Sequence, residues 1–422
     1  MKVLWINNVA IPRIQNINGN KDRVVYGGWL SGLSDNLLKN KEINLCICYP
    51  KQNPQNVEQG KEGNFSFWGL SMKDKKYCFE FASILDSFEP DIIHFFGTEF
   101  SWSYELCKIC KDKKMLDKTV ISIQGLVSEI QKYYFAGMNF RDRNYFTLSE
   151  LKSNITMRAI LHDYKKRAVS EIEELKIVNN VIGRTTWDEA CVKFINKEIR
   201  YFFCNETLRK EFYEGKWELN KCKKHTIYVS QAGKPLKGFH KLIDALKIVV
   251  ESYPDVKVNV GGTNVINSSF LRGSGYGLYL KKLIRQNKLS DNINFLGDLT
   301  AEEVKQYLLS SNLFVSTSAI ENSSNSLGEA MLLGVPCIAS DVGGVTDMIT
   351  HKQEGFVYPF DDSNLLAFYI IKVFADERIA NNISLNGRIH AQKTHDENVN
   401  NEVLLKIYKR LQGRHKNEFE FE

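Results

Sequence analysis

The chain has 422 residues, 43% of them hydrophobic and 25% charged, with a formal net charge of +6 from 56 basic and 50 acidic side chains. That length exceeds one ordinary core and calls for two domains. The balance excludes wholesale disorder and collagen-like chains. The charge is mild and does not indicate nucleic acid as a partner, which usually meets a concentrated basic face.

Apolar runs read as strands at Lys2–Asn7, Ile43–Tyr49, Asp91–Phe96, Thr119–Ile123 and Ile177–Gly183. Between them, helical spacing covers Tyr26–Leu38, Phe81–Phe88 and Tyr104–Lys114. This alternation predicts parallel βαβ units and an α/β sheet. Residues 206–224 are lysine-rich and read as a linker. A second series follows, with strands at Thr226–Val229, Val256–Val260, Ile293–Leu296, Leu313–Ser316 and Pro336–Ser340. Helices are predicted over 239–253, 276–287, 301–309 and 326–333, and an amphipathic one over 396–415.

Residues 128–170 break the rhythm. Over 131–170, eight basic residues face three acidic ones and interleave with aromatics such as Tyr133, Phe140 and Phe146. Two readings fit: a helical hairpin with its aromatics packed inward, which we favour, and a face resting on an anionic membrane. The nine cysteines are odd in number and irregular in spacing, which argues against a disulfide framework and for a reducing cytoplasm. Cys107 and Cys110 have no second pair or histidines beside them and read as two helical thiols. The start, MKVLWINNVAIP, lacks a signal-peptide layout. No stretch reaches the roughly 18 to 20 apolar residues of a membrane span. The expected location is the cytoplasm, with peripheral contact at the inner face of the membrane left open.

The richest chemistry lies between Ser316 and Pro336. A strand, a polar loop, a helix and a second strand follow one another closely. Ser324, Asn325, Ser326 and Leu327 stand where the helix begins, and the free N–H groups there suit a diphosphate. Glu321 in the loop and Glu329 inside the helix are carboxylates suited to sugar or ribose hydroxyls. Locally, Ser326 as N-cap with Glu329 completing a capping box is the simpler reading.

The wider run changes that balance. Glu321 and Glu329 are followed by Ala330-Met331, Gly334-Val335-Pro336, Gly343-Gly344 and Glu354-Gly355. In that order they resemble the retaining nucleotide-sugar glycosyltransferases of family four, the group 1 glycosyl transferases. Their GT-B fold sets two Rossmann-like domains about a central cleft. The resemblance implies an acceptor-side domain over 1–215 with a basic and aromatic insertion at 128–170. It also implies a donor-nucleotide domain over 225–395 and a helix over 396–415 packing back on the first domain.

It further implies a donor that is a nucleoside diphosphate sugar, no cofactor and no metal. No Asp-x-Asp follows a strand, since Asp361-Asp362 is adjacent and late. Glu321 would orient the sugar and Glu329 the ribose. Lys237 would neutralise the leaving diphosphate, although taken alone it reads as a solvated lysine at a helix start. The family arginine five residues earlier is Ala232 here. Lys234 is one candidate replacement and Arg184 another, though a structural salt bridge suits Arg184 better. Gly27 and Gly28 resemble the glycine loop at the donor phosphates, and Gly262 and Gly297 the turns at base and ribose. Gln124 falls where the family often has a histidine beside the sugar. His94 resembles the histidine of a cleft-facing strand, and reads equally as a hydrogen-bonded core residue.

The implied function is transfer of a sugar to a glycan or lipid-linked glycan acceptor, in envelope or capsular polysaccharide synthesis. The alternatives are another enzyme on the same fold, such as a nucleotide-sugar epimerase, and a degenerate, non-catalytic GT-B partner protein.

Overall fold

The computed structural model describes residues 1–17, 28–51 and 58–413. Among these, eight strands form one sheet: β1 (Lys2–Ile6), β2 (Asn44–Pro50), β3 (Gln59–Glu62), β4 (Phe65–Leu70), β5 (Ile92–Phe96), β6 (Thr119–Ser122), β7 (Asn180–Gly183) and β8 (Arg200–Phe203). Their order is β3-β4-β2-β1-β5-β6-β7-β8, parallel throughout except for the β3–β4 hairpin. A second sheet holds β9 (Lys223–Val229), β10 (Lys257–Gly261), β11 (Ile293–Gly297), β12 (Ser311–Ser316), β13 (Cys337–Ser340) and β14 (Phe356–Tyr358). Its order is β11-β10-β9-β12-β13-β14, all parallel.

The central strands are continuous apolar runs because helices cover both faces of a parallel sheet. Val3, Leu4, Trp5, Ile92 and Ile93 of the first sheet are fully buried, as are Val258, Val260, Leu313 and Phe314 of the second. The predicted strands and helices are present with ends shifted by a few residues. The β3–β4 hairpin, β8 and β14 had not been read as strands. All nine cysteines are free. Cys107 and Cys110 lie buried on the helix Ser101–Asp112, where burial pushes the Cys110 thiol up to about 12.

The chain divides into two compact units. The first comprises residues 1–127, 167–207 and 395 onward, and the second residues 128–166 and 208–394. The domain boundaries expected from sequence are corrected in two places. Residues 128–166 join the second unit, not the first. The Leu148 amide donates to the Phe270 carbonyl at 2.8 Å, the Ser149 amide to Leu271 at 3.2 Å, and the Gly275 amide to the Glu150 carboxylate at 2.8 Å. Of the stretch read as a linker, residues 208–224 are also packed structure of the second unit. Phe212 and Trp217 are buried, the Trp217 amide bonds to the Leu333 carbonyl at 2.8 Å, and its indole N–H to the Ser311 carbonyl at 2.8 Å.

The helix Glu397–Leu411 belongs to the first unit. Its Tyr408 hydroxyl accepts from the Trp5 indole at 3.0 Å. No helix among the described residues is long and apolar enough to cross a membrane.

Candidate functional site

The order of the second sheet reverses between β9 and β12. In open α/β sheets, ligands bind beyond the carboxyl ends of the strands at such a point. The loops leaving β9 and β12 there carry most of the predicted residues. After β9, Pro235–Lys237 forms a short 3₁₀ turn that ends at Gly238 with φ of 62°. A Cβ at Gly238 would sit 1.8 Å from the Thr317 carbonyl oxygen. Glycine is what allows this turn to press its backbone against the loop after β12. Two bonds staple the loops: Thr317 Oγ1 to the Lys237 carbonyl at 2.9 Å, and the Ala319 amide to the Leu236 carbonyl at 2.7 Å.

This packing brings Lys237 and Glu321 together. The Lys237 ammonium donates to Glu321 Oε1 at 2.5 Å, and Ser318 Oγ donates to the same oxygen at 2.6 Å. From the other side Gly343, with φ of 54°, lies against the Glu321 carbonyl, where a Cβ would be 1.9 Å from the oxygen. The Gly344 amide bonds that carbonyl at 3.1 Å. Glu321 is thus clamped by its backbone while its carboxylate stays partly open to solvent.

The helix Asn325–Leu333 follows. Its N-cap is Ser324, which makes no side-chain cap bond. Ser324 Oγ instead pairs with Ser326 Oγ at 3.2 Å, which also accepts from Ser230 Oγ at 3.2 Å. The capping box read locally for Ser326 and Glu329 is not formed. The first-turn amides of Asn325, Ser326 and Leu327 have no acceptor within their helix and lie at the positive end of its dipole. Leu327 takes part through its backbone, since its side chain is buried.

Glu329 is buried one turn further on. Arg209 grips it with both arms of the guanidinium, Nε to Oε1 at 2.6 Å and Nη2 to Oε2 at 2.7 Å. Burial pushes the Glu329 carboxyl up from the ordinary range, against the pull of Arg209.

Gly262 follows β10 and Gly297 ends β11, and the two form a bridge with each other. Ala232 is buried, and Lys234 is exposed at the start of the turn that ends in Lys237. Gly28 opens the helix Gly28–Leu38, and Gly27 lies outside the described residues.

In the first unit, His94 sits on β5, buried and stacked on Phe96 at 4.0 Å between ring centroids. Its Nδ1 meets the Tyr408 hydroxyl at 2.6 Å and its Nε2 meets Ser122 Oγ at 2.7 Å. Tyr408 accepts from Trp5 and keeps its own proton, so it can donate to Nδ1 with Nε2–H donating to Ser122. Burial lowers the imidazole pKa to about 3, so His94 is neutral at ordinary pH. Both ring nitrogens thus have protein partners, and His94 lines, with Ser122, the same small cavity as Gln124.

Gln124 follows β6 and is partly exposed at a small cavity also lined by Arg184, Asn205 and Glu206. Its Nε2 donates to Glu206 Oε1 at 2.9 Å. Arg184 pairs with Glu206 and donates to the Ile123 carbonyl at 3.0 Å, so it has the structural salt bridge and not a phosphate role. That bond uses one of the two Nε2 protons, which leaves the second N–H and the carbonyl oxygen of Gln124 for other partners.

Sequence reasoning missed Arg209, Glu206 and Ser318. Ser318 lies in the signature run itself and could have been found there. Arg209 and Glu206 stand in a stretch whose charge resembled a solvated linker.

Comparison with known proteins agrees with this geometry. Residues 209–390 match the family of glycosyl transferases group 1. The capsular polysaccharide biosynthesis glycosyltransferase CapM of Staphylococcus aureus is 29% identical over 175 residues, 41% of this chain and 42% of CapM. The chain spans less than half the length of the curated relatives it matches. Sucrose-phosphate synthase from Thermosynechococcus elongatus superposes with a TM-score of 0.70 at 16% identity, over 98% of this chain and 100% of that one. HepE of Anabaena in complex with UDP-glucose superposes at 0.69 and 16% identity, over 97% and 100%. Such likeness establishes fold alone, and the likeness spans both sheets. Residues 209–390 thus match the group 1 glycosyl transferases, and the chain that carries them has the GT-B fold.

Proposed function

We propose that the chain is a retaining, metal-independent glycosyltransferase that moves a sugar from a nucleoside diphosphate sugar to an acceptor hydroxyl. The carrying observations are the Lys237–Glu321 pair and the helix end whose N-cap Ser324 makes no side-chain cap bond, both on loops that leave β9 and β12 where the second sheet reverses. The diphosphate binds the first-turn amides of Asn325–Leu333 and exchanges for Glu321 as the partner of Lys237. Glu321 then turns to the sugar hydroxyls, and Glu329 accepts from the ribose. The bond from the anomeric carbon to the phosphate oxygen breaks as the acceptor oxygen bonds to the same face. The acceptor proton passes to the departing phosphate oxygen. Lys237 and the helix end stabilise the charge that develops there. Gln124 offers its carbonyl oxygen to a hydroxyl of sugar or acceptor.

The test is transfer from candidate sugar nucleotides, followed by NMR of the product. Wild type is expected to keep the donor's anomeric configuration, and Glu321→Gln to lose turnover. An inverted product would refute the retaining mechanism.

A glycan or lipid-linked glycan acceptor in polysaccharide synthesis is part of the proposal, by analogy with relatives such as CapM. A specific observation favours contact with an anionic membrane. Phe140 is 72% exposed, with Arg158 over its ring at 5.6 Å. A hollow there is lined by Phe135, Phe140, Arg143, Arg158, Leu161, His162 and Lys165, with no carboxylate. An exposed ring among cations, in a lining without carboxylates, suits an acidic lipid surface. The protein should sediment with phosphatidylglycerol vesicles and not with phosphatidylcholine ones. Equal behaviour with both would end this part of the proposal.

A further inference from the structure

We propose that Arg209 is the positioning residue of the nucleotide site: it fixes the Glu329 carboxylate so that its remaining lone pairs serve a ribose diol. The inference rests on the donor-site reading above. A carboxylate offers about four acceptor positions, two per oxygen. The bidentate guanidinium takes one on each oxygen, at 2.6 and 2.7 Å. One on each oxygen is left, a pair matched to two vicinal hydroxyls.

Arg209 is itself held. Its guanidinium lies 4.7 Å over the Phe212 ring, and Phe212 is buried. The same segment is tied by the Trp217 amide to the Leu333 carbonyl, at the end of the helix that carries Glu329. Both partners are therefore braced on one helix, and neither is free to turn. The charge of Arg209 is matched by Glu329. It therefore does not replace the cation absent at Ala232, and the diphosphate is left to Lys237 and the helix end. A lysine could not substitute for Arg209, because it brings a point charge and no planar fork.

The test measures affinities of the full chain for UDP, GDP, ADP and CDP, their 2′-deoxy forms, and inorganic pyrophosphate. It compares wild type, Arg209→Met and Arg209→Lys. Wild type should favour its ribonucleotide over the deoxy form by at least about 10-fold, the worth of a hydrogen bond to a charged group. Both variants should bring that ratio towards one at pH 7 with pyrophosphate affinity unchanged. In Arg209→Met the ratio should recover as pH rises, because buried Glu329 must lose its proton unaided. If Arg209→Met does not melt cooperatively, Arg209→Lys decides. A preserved ratio in the variants makes Arg209 merely structural and overturns the proposal. Loss of pyrophosphate affinity makes it a phosphate ligand and overturns it too. A wild type that binds none of the nucleotides overturns the donor-site reading itself, and this inference with it.

Discussion

The carboxyl ends of the two sheets carry polar side chains arranged to opposite effect. On β1, β5 and β6, Trp5, His94 and Ser122 form with Tyr408 a chain of hydrogen bonds within the first unit. Its members are buried. Beyond β9 and β12, Lys237 and Glu321 also satisfy each other, but their side chains keep 31% and 16% of their exposure. Glu321 lies in the loop that leads into a helix whose N-cap Ser324 makes no side-chain cap bond. A strand-end residue is therefore placed by what its second partner is. His94 has protein on both sides, and Lys237 has protein on one.

The sharpest way to break this contrast is to remove Lys237. Lys237→Ala should lower kcat by about 10²- to 10³-fold, the usual cost of one preorganised group at developing charge. It should shift stability by no more than about 1 kcal/mol, because the pair is partly exposed. Steady-state kinetics with parallel urea melts would show both. Near-normal kcat would move Lys237 to the class of His94.

Acid separates the regions next. His94 has its folded pKa depressed to about 3 by burial, below its unfolded value near 6.5. Its neutral form therefore contributes stability above pH 6.5 that is lost as pH falls towards 3. The expected loss is about 1.4 kcal/mol per pH unit over that window. His94→Gln cannot take up the proton and should lose this slope while retaining transferase activity in its folded fraction. Urea melts between pH 7 and 5 would decide it. An unchanged slope would mean that the imidazole is not the buried neutral group described. A large fall in kcat at pH 7 in a folded variant would return His94 to catalysis.

The same contrast explains what could be read in advance. The strands and helices of both sheets were legible, because buried parallel strands are apolar runs and the helices keep their 3.6-residue spacing. The run from Glu321 to Gly344 was legible because several residue types recur in one order. The β3–β4 hairpin was not, since Gln59-Gly-Lys-Glu62 has no apolar alternation. Nor was the allegiance of residues 128–166, which rests on backbone bonds such as Leu148 to Phe270 that carry no side-chain signal. Arg209 was hidden for a different reason. Its partner is 120 residues away, and the lysines around it made the segment look solvated. His94 could be weighed but not decided, because the choice depended on Tyr408 at the far end of the chain.

The central claim is that the reversal point of the second sheet binds a nucleoside diphosphate through Lys237, the Asn325–Leu333 helix end and Glu329. Its most direct test is thermal stabilisation of wild type and Lys237→Ala by UDP, GDP, ADP and CMP. One nucleoside diphosphate, at about 100 times its dissociation constant, should stabilise wild type by about 2.7 kcal/mol. At the same concentration the variant should show a much smaller shift. If a cooperatively melting wild type is stabilised by none of them, or the variant keeps the full shift, the claim is contradicted.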